Sequence, residues 1–193
     1  VYRLRGQYER ARQYFRRHLA RCGEDSEALR DYGRLLLSLG RYREARGCFE
    51  QLLRSERDNV DAMIHLGELA LVDGRADEAV NLLQRALQRD TTRPGIRLGL
   101  ALVANERRQR MEVRKLLLEE LACDGHSGRQ LLELARLLIE HDLPHRAAAL
   151  LRAAMGGSDD PFTDAEERVH ALLYRAAALL VLQRTEEGIR DCR

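Results

Sequence analysis

His141 and His145, with Glu140 and Asp142 beside them, stand at a spacing that can hold a metal ion when both imidazoles share a helix face. Asp142-Leu143-Pro144, however, falls where a turn between helices belongs, which sets the two rings on different elements. Arginine is dense from Arg3 to Arg21 and again from Arg107 to Lys115, a pattern that could grip nucleic acid or an acidic partner. Acids such as Glu9 and Glu112 interrupt both runs, as they do on ordinary solvated helix faces. Tyr2, Tyr8, Tyr14 and Phe15 lie near the first run, but Tyr8 and Phe15 fall on packing sites, so no regular face is left for stacking bases. The thiols of Cys22, Cys48, Cys123 and Cys192 are scattered and show no C-x-x-C pairing, which excludes a zinc knuckle or a disulfide framework. They read as buried apolar groups in a reducing compartment. No Ser-His-Asp, Cys-His or glycine-rich phosphate motif can be placed. The expectation is a chain with no catalytic residue, no cofactor and no metal.

What positions these residues is a spacing of 34. Gly6, Gly40 and Gly74 stand 34 apart, as do Ala11, Ala45, Ala79, Val113 and Ala147. The same interval links Phe15, Phe49, Leu83, Leu117 and Leu151, and again Leu19, Leu53, Leu87, Leu121 and Met155. Gly33, Gly67, Ala101 and Ala135 form a further column of small residues. A period shared by small and large apolar positions marks a stacked repeat, in which each unit buries its surface against its neighbours. Within Ser26 to Asn59, Leu29, Tyr32, Gly33 and Leu36 recur at helical spacing, and Gly40 supplies the residue free to take positive φ at a helix end. Ala45, Phe49, Leu52 and Leu53 then define a second amphipathic helix. Two such helices joined by a short turn make an antiparallel hairpin.

Composition agrees with a helical core of Leu and Ala: 45% apolar, 5% aromatic and no Trp. Lys+Arg 33 against Asp+Glu 31 leaves a net charge of +2, too small a cationic surplus for an obligate nucleic-acid binder. Lys occurs once, which reads as the codon usage of a GC-rich genome. The longest greasy stretch, Ala171 to Leu182, is broken by Arg175 and too short to span a bilayer. No signal peptide is visible at Val1, so a cytoplasmic setting is expected ahead of a periplasmic one.

The pattern resembles the tetratricopeptide repeat family. The residues that carry the resemblance are Leu29, Tyr32-Gly33, Leu36, Gly40-Arg41-Tyr42-Arg43-Glu44-Ala45, Phe49 and Leu52-Leu53. The next unit carries it through Met63, Leu66-Gly67, Gly74, Ala79, Leu83 and Ala86-Leu87. The resemblance implies an all-α fold: a right-handed α-solenoid of stacked antiparallel helix hairpins. One array over residues 1–193 is expected, with units at about 1–25 (partial), 26–59, 60–93, 94–127, 128–161 and 162–193 (partial). Ala11 comes so early that only the end of that unit's first helix is expected. Unit 94–127 is degenerate, with Arg97 at an apolar site, Arg108 at the turn and Val113 at the small site, and looser packing is expected there. After Pro161 the phase slips by seven residues, to Leu172, Ala176, Leu179, Gly188 and Cys192. That slip predicts one longer helix from about Pro161 to Leu182, capped by Asp160-Pro161, and the start of a second helix before Arg193. Gly156-Gly157-Ser158-Asp159 reads as the most flexible stretch. Both ends read as cut through repeats, so the chain is expected to be part of a longer array whose open ends can self-associate.

The resemblance also implies a function. In this family the first helix of each unit lines a concave groove that holds peptides or helices. Carried onto this chain, its lining is Arg30, Arg34, Leu37, Ile64, His65, Glu68, Leu71, Leu98, Leu102, Leu132, Arg136, Ile139, Leu173 and Tyr174. Several of these are large and apolar where a solvated helix would be polar, which favours an interaction surface over a covered one. The two-carboxylate clamp of some members is not expected, because Arg30, Arg34, His65, Glu68 and Gly99 lack its paired Asn, and Glu68 would repel a carboxylate. A partner helix or extended apolar segment, oriented by Arg34 and Arg136, suits the face better. The expected role is a non-catalytic protein-interaction scaffold, by resemblance in a bacterial secretion, envelope or polysaccharide-export assembly. A docking domain of a larger enzyme and a nucleic-acid-binding repeat are the rival readings.

Overall fold

Four three-residue turns between paired helices are closed in the same way. In the computed structural model Gly40, Gly74, Arg108 and Asp142, spaced by 34, all take left-handed φ, at 69°, 72°, 58° and 59°. The following N–H returns to the carbonyl five residues back: Arg41 to Leu36, Arg75 to Ala70, Gln109 to Ala104 and Leu143 to Leu138, each within 2.8–2.9 Å. This satisfies the last carbonyls of one helix and reverses the chain at once. Glycine meets the left-handed requirement freely, whereas Arg108 and Asp142 adopt it under tertiary constraint.

The structure describes residues 2–22, 25–156, 161–162 and 165–191, with side chains for 8–19, 21, 25–156, 161–162 and 165–183. They form ten helices and, among the described residues, no strand. The helices are α1 (Tyr2–Cys22), α2 (Ser26–Ser38), α3 (Tyr42–Ser55), α4 (Val60–Val72), α5 (Ala76–Arg89), α6 (Ile96–Glu106), α7 (Arg110–Glu120), α8 (Gly128–Glu140), α9 (Pro144–Gly156) and α10 (Ala165–Asp191). The first helices α2, α4 and α8 begin at side-chain caps, whereas α6 begins at Gly95 without one. Asp25 accepts from Ala28 N (3.1 Å) and Asn59 from Ala62 N (2.9 Å). Ser127 and Gln130 form a reciprocal capping box ahead of α8.

The chain divides into two compact units, Val1–Thr91 and Thr92–Arg193. In the first, Leu29, Tyr32, Leu36, Ala45, Phe49, Leu52, Ala62 and Leu66 build a core between α2, α3 and α4. A Cβ added at Gly33 would lie 2.6 Å from Phe49 Cζ, and one at Gly67 2.9 Å from Leu83 Cγ. The small column therefore exists because the second helix of each hairpin presses a large side chain onto the first. In the second unit α6 to α10 share a core of Leu98, Ala101, Val113, Leu117, Leu134, Ala135, Leu138, Ala147, Leu151 and Phe162. Within each unit successive hairpins stack, the architecture of an α-solenoid, and the all-α expectation holds.

Four local expectations are corrected. No turn forms at Gly6: α1 runs through it as one helix. The last helix starts at Ala165, not Pro161, and runs unbroken to Asp191 past Leu182 and Gly188. Gln183, seven residues beyond the 34-spaced successor of Asp142, offers no glycine for the reversal. Pro161 is non-helical, and its carbonyl instead accepts from Gly128 N (3.0 Å). The degenerate unit is tightly packed, with Ala101, Val113 and Leu117 fully buried. Arg97 is accommodated there by pairing with Glu119 (3.2 Å) across the α6–α7 hairpin. Gly157-Ser158-Asp159 and the Asp160 cap lie outside the described residues.

Candidate partner-binding face

The residues implied as a groove lie on the first helices of the hairpins, α2 and α4 in one unit and α6, α8 and α10 in the other. On α2, Arg30 sits 3.8–3.9 Å from Glu27, Asp31 and, across to α4, Asp61. Arg34, one turn on, is exposed, and among the described residues no acid pairs with it. Leu37 and Leu71 are half-buried. His65 packs its ring 4.7 Å from Phe49 and its Nδ1 3.1 Å from Glu68 Oε2. This face is polar, and Arg34 is its free guanidinium among the described residues.

The second unit presents a different chemistry. Leu102, Leu132, Ile139 and Tyr174 are half-buried, their inner atoms against the core and their outer atoms in solvent, and Leu173 is 60% exposed. Arg136 lies among them, but its guanidinium donates to Glu133 (2.5 Å) and Glu140 (2.5 Å) on its own helix. The Glu133 bond, more than any other contact, raises its pKa above the ordinary arginine value. Its charge is held within α8, so it is less available to orient a ligand than the residue type implies. Two groove residues are corrected outright. Ile64 and Leu98 are each 4% exposed and belong to the core. Gly99, one of the clamp positions, is buried as well.

The two histidines at metal spacing part as expected. His141 caps the end of α8 and is 8% exposed, while His145 is an exposed residue of α9. The His141 Nε2–H donates to Asn105 Oδ1 (2.8 Å), tying α8 to α6, and its Nδ1 is buried without a partner. Burial, opposed by Glu140 and reinforced by Arg110, Arg114 and Arg136, lowers its pKa below the usual 6.5. Of the thiols with described side chains, Cys48 is buried, its pKa pushed up to about 11 by desolvation, and Cys123 is half-buried. A thiol so raised is a small apolar side chain, not a nucleophile. Phe15 stacks on Tyr32 at 5.6 Å, whereas Tyr8, expected at a packing site, is 39% exposed.

Three features escape a reading of the sequence alone. Glu120 is fully buried, its Oε1 accepting from Gly95 N (2.5 Å) and meeting His126 Nε2 (2.8 Å). The signal was a carboxylate in the column Leu52, Ala86, Glu120, Ala154. A hollow of about 380 Å³ opens beside Leu53 and Leu66, rimmed by Glu50, Arg54, Arg57 and Arg85. Its residues on and after α3 recur at i, i+3, i+4, i+7, which could have been seen. The third is an apolar stripe on α10: Val169, Leu172, Leu173, Leu179 and Leu180 are all exposed. Among the described residues, no helix is long and apolar enough to cross a membrane, and no group of three or more metal-ligating side chains gathers.

A family model described as tetratricopeptide repeat matches residues 30–94, and a second with the same description matches residues 1–29. No curated protein sequence matches. Among solved structures, the chain is similar to TTC0263, a TPR protein of Thermus thermophilus, with 23% identity and a TM-score of 0.70. That match covers 93% of this chain and 93% of the other. It is similar to MamA residues 41-end of Desulfovibrio magneticus RS-1, with 20% identity over 79% of this chain and 86% of that one, TM-score 0.57. It also matches the Cut9–Hcn1 hetero-tetramer of the APC/C, with 14% identity over 96% of this chain and 36% of that one, TM-score 0.72. At these identities the likeness is one of fold.

Proposed function

The chain belongs to the tetratricopeptide repeat family, and from that premise we propose that it holds a helix or extended apolar segment of a partner protein on the first-helix face of α6, α8 and α10. Repeats of this family are in general protein-interaction scaffolds without catalysis of their own. The observation that supports the reading is the row of Leu102, Leu132, Ile139 and Tyr174, each seated in the core yet open to solvent. A half-exposed apolar row on a rigid helix face is already ordered before it binds. The partner alone then bears the entropic cost. The proposed setting is a bacterial secretion, envelope or polysaccharide-export assembly, on the family resemblance and the near absence of lysine.

Affinity capture with this chain from native lysate, followed by mass spectrometry, names the partner. Leu102→Asp then tests the face. Helicity by circular dichroism should be retained and affinity for the captured partner should fall at least about tenfold, on the order of the 1.4 kcal/mol expected for an aspartate in an apolar contact. Unchanged affinity would remove this face from the binding surface, and a collapsed spectrum would make Leu102 a core residue.

A further inference from the structure

The hollow in the first unit has an apolar floor and a cationic rim. Leu66 of α4 and the half-buried Leu53 of α3 line its base. Arg54 of α3, Arg57 just after that helix and Arg85 of α5 stand exposed around the opening, with Glu50 beside them. Among the described residues, no acid pairs with any of the three arginines. The acids that follow α3 are engaged elsewhere: Glu56 accepts from Asn59 Nδ2 (2.7 Å), and Asp58 pairs with Arg89 (2.8 Å). Three cations against one carboxylate leave the rim with an excess of two positive charges, as much as the +2 of the whole chain. Arg85 donates from Nη2 to the Arg57 carbonyl (3.3 Å), which ties α5 to the end of α3 and leaves its remaining N–H groups for a ligand. The stacking of repeats does not need these arginines. One repeat on, Arg54, Arg57 and Arg85 become Gln88, Thr91 and Glu119, and one repeat back they become Ala20, Gly23 and Gln51. The floor positions, by contrast, stay apolar or aromatic: Leu53 and Leu66, then Leu87 and Leu100, and before them Leu19 and Tyr32. Positions that recur serve packing. Like charges gathered at a single place repel one another, a cost that packing gives no reason to carry.

We propose that this hollow seats an acidic segment of a partner protein, with one leucine-sized side chain on Leu53 and Leu66 and carboxylates on either side of it meeting Arg54, Arg57 and Arg85. Charge complementarity selects the sign of the occupant. Guanidinium forks match carboxylates in shape as well as charge. The cations stand on three different parts of the chain: α3, the turn after it and α5. Separate carboxylates along a polypeptide reach such a spread rim more readily than a single head group does. The floor asks for an aliphatic group, which a phosphate backbone does not supply. A volume of about 380 Å³ lies at the small end of ligand hollows and suits one anchoring side chain. The hollow shares no residue with the apolar row of α6, α8 and α10, so it stands independently of the function proposed for that face.

The probe is the uncharged-end peptide acetyl-Glu-Asp-Leu-Glu-Asp-amide, titrated into the 193-residue chain by calorimetry at low and at moderate salt. Saturable one-to-one binding is expected, weakened about threefold or more at the higher salt. Serine in place of the peptide's leucine should weaken it at least about fivefold, through loss of the apolar anchor. Glutamine and asparagine in place of its acids should remove saturation. Arg57→Gln and Arg85→Gln, both at exposed sites, should each weaken binding about twofold to fivefold and together about tenfold, as lost exposed ion pairs do, with an unchanged melting curve. Leu102→Asp should leave binding intact, which separates this test from that of the apolar row. Absence of saturable binding, equal binding of the serine peptide, or unchanged affinity in the double arginine variant would each overturn the proposal. Tighter binding of decanoate or of a uridine decanucleotide through the same arginines would also overturn it, in favour of a fatty acid or a nucleic acid.

Discussion

His141 shows how one side chain acquires a consequence from its surroundings. Its Nε2–H is committed to Asn105, and its Nδ1 faces the interior with no acceptor, so adding a proton there adds a buried, unsatisfied charge. Arg110, Arg114 and Arg136 oppose that proton, and Glu140 favours it less than burial disfavours it. With the folded pKa below the unfolded value, the unfolded chain binds the proton first, and stability falls as pH drops below about 6.5. His141→Gln, whose amide can still donate to Asn105, should flatten this acid slope while matching the wild type at pH 8, measured as urea midpoints across pH. A variant slope equal to the wild type's would show that other groups carry the effect. From the sequence His141 could be kept off a shared face with His145, but its burial was not visible. Its hydrogen-bond partner Asn105 comes from α6, 36 residues away.

At the scale of elements, the hairpin turn is where local chemistry and tertiary demand come into tension. Gly40 and Gly74 fold the chain back at no steric cost, while Arg108 and Asp142 hold φ near 58° and 59° because the two helices they join are already packed. Arg108→Gly relieves about 1–2 kcal/mol of left-handed strain and returns about 0.5–1 kcal/mol as glycine's chain entropy, for a net gain near 0.5–1 kcal/mol. Thermal denaturation should show the midpoint rising by roughly 2–4 °C. A lowered midpoint would mean that the arginine side chain, not its backbone, matters at this position. Where the glycine column lapses without such packing, at Gln183, the helix continues. The phase slip in the sequence pointed to the lengthened helix α10, but not to its running on through Gly188, because periodicity records which faces are apolar and not whether a partner helix is present to fold against them.

For the molecule as a whole, stability is a sum of hairpins and their contacts with immediate neighbours. Ala45 is fully buried at the crossing of α2 and α3, so Ala45→Arg forces a charge and several methylenes into a filled space. The cost should exceed about 3 kcal/mol and unfold at least that hairpin. Amide hydrogen exchange should accelerate across α2 and α3 while α8 and α9 keep wild-type protection, the signature of a chain without one shared centre. Uniform acceleration in both units, or an unchanged melt, would contradict a repeat architecture. The column of small residues, the column of large ones and the glycine turns were all present in the sequence, and they determined an all-α chain of stacked hairpins. They do so because close helix packing requires small against large at a fixed interval, and that requirement is local enough to be written in residue types. The tertiary structure alone decided which apolar residues of the first helices are sealed, as Ile64 and Leu98 are, and which stay open, as on α10. Residue type sets what a side chain gains by burial, but the presence of a neighbouring helix determines whether that burial occurs.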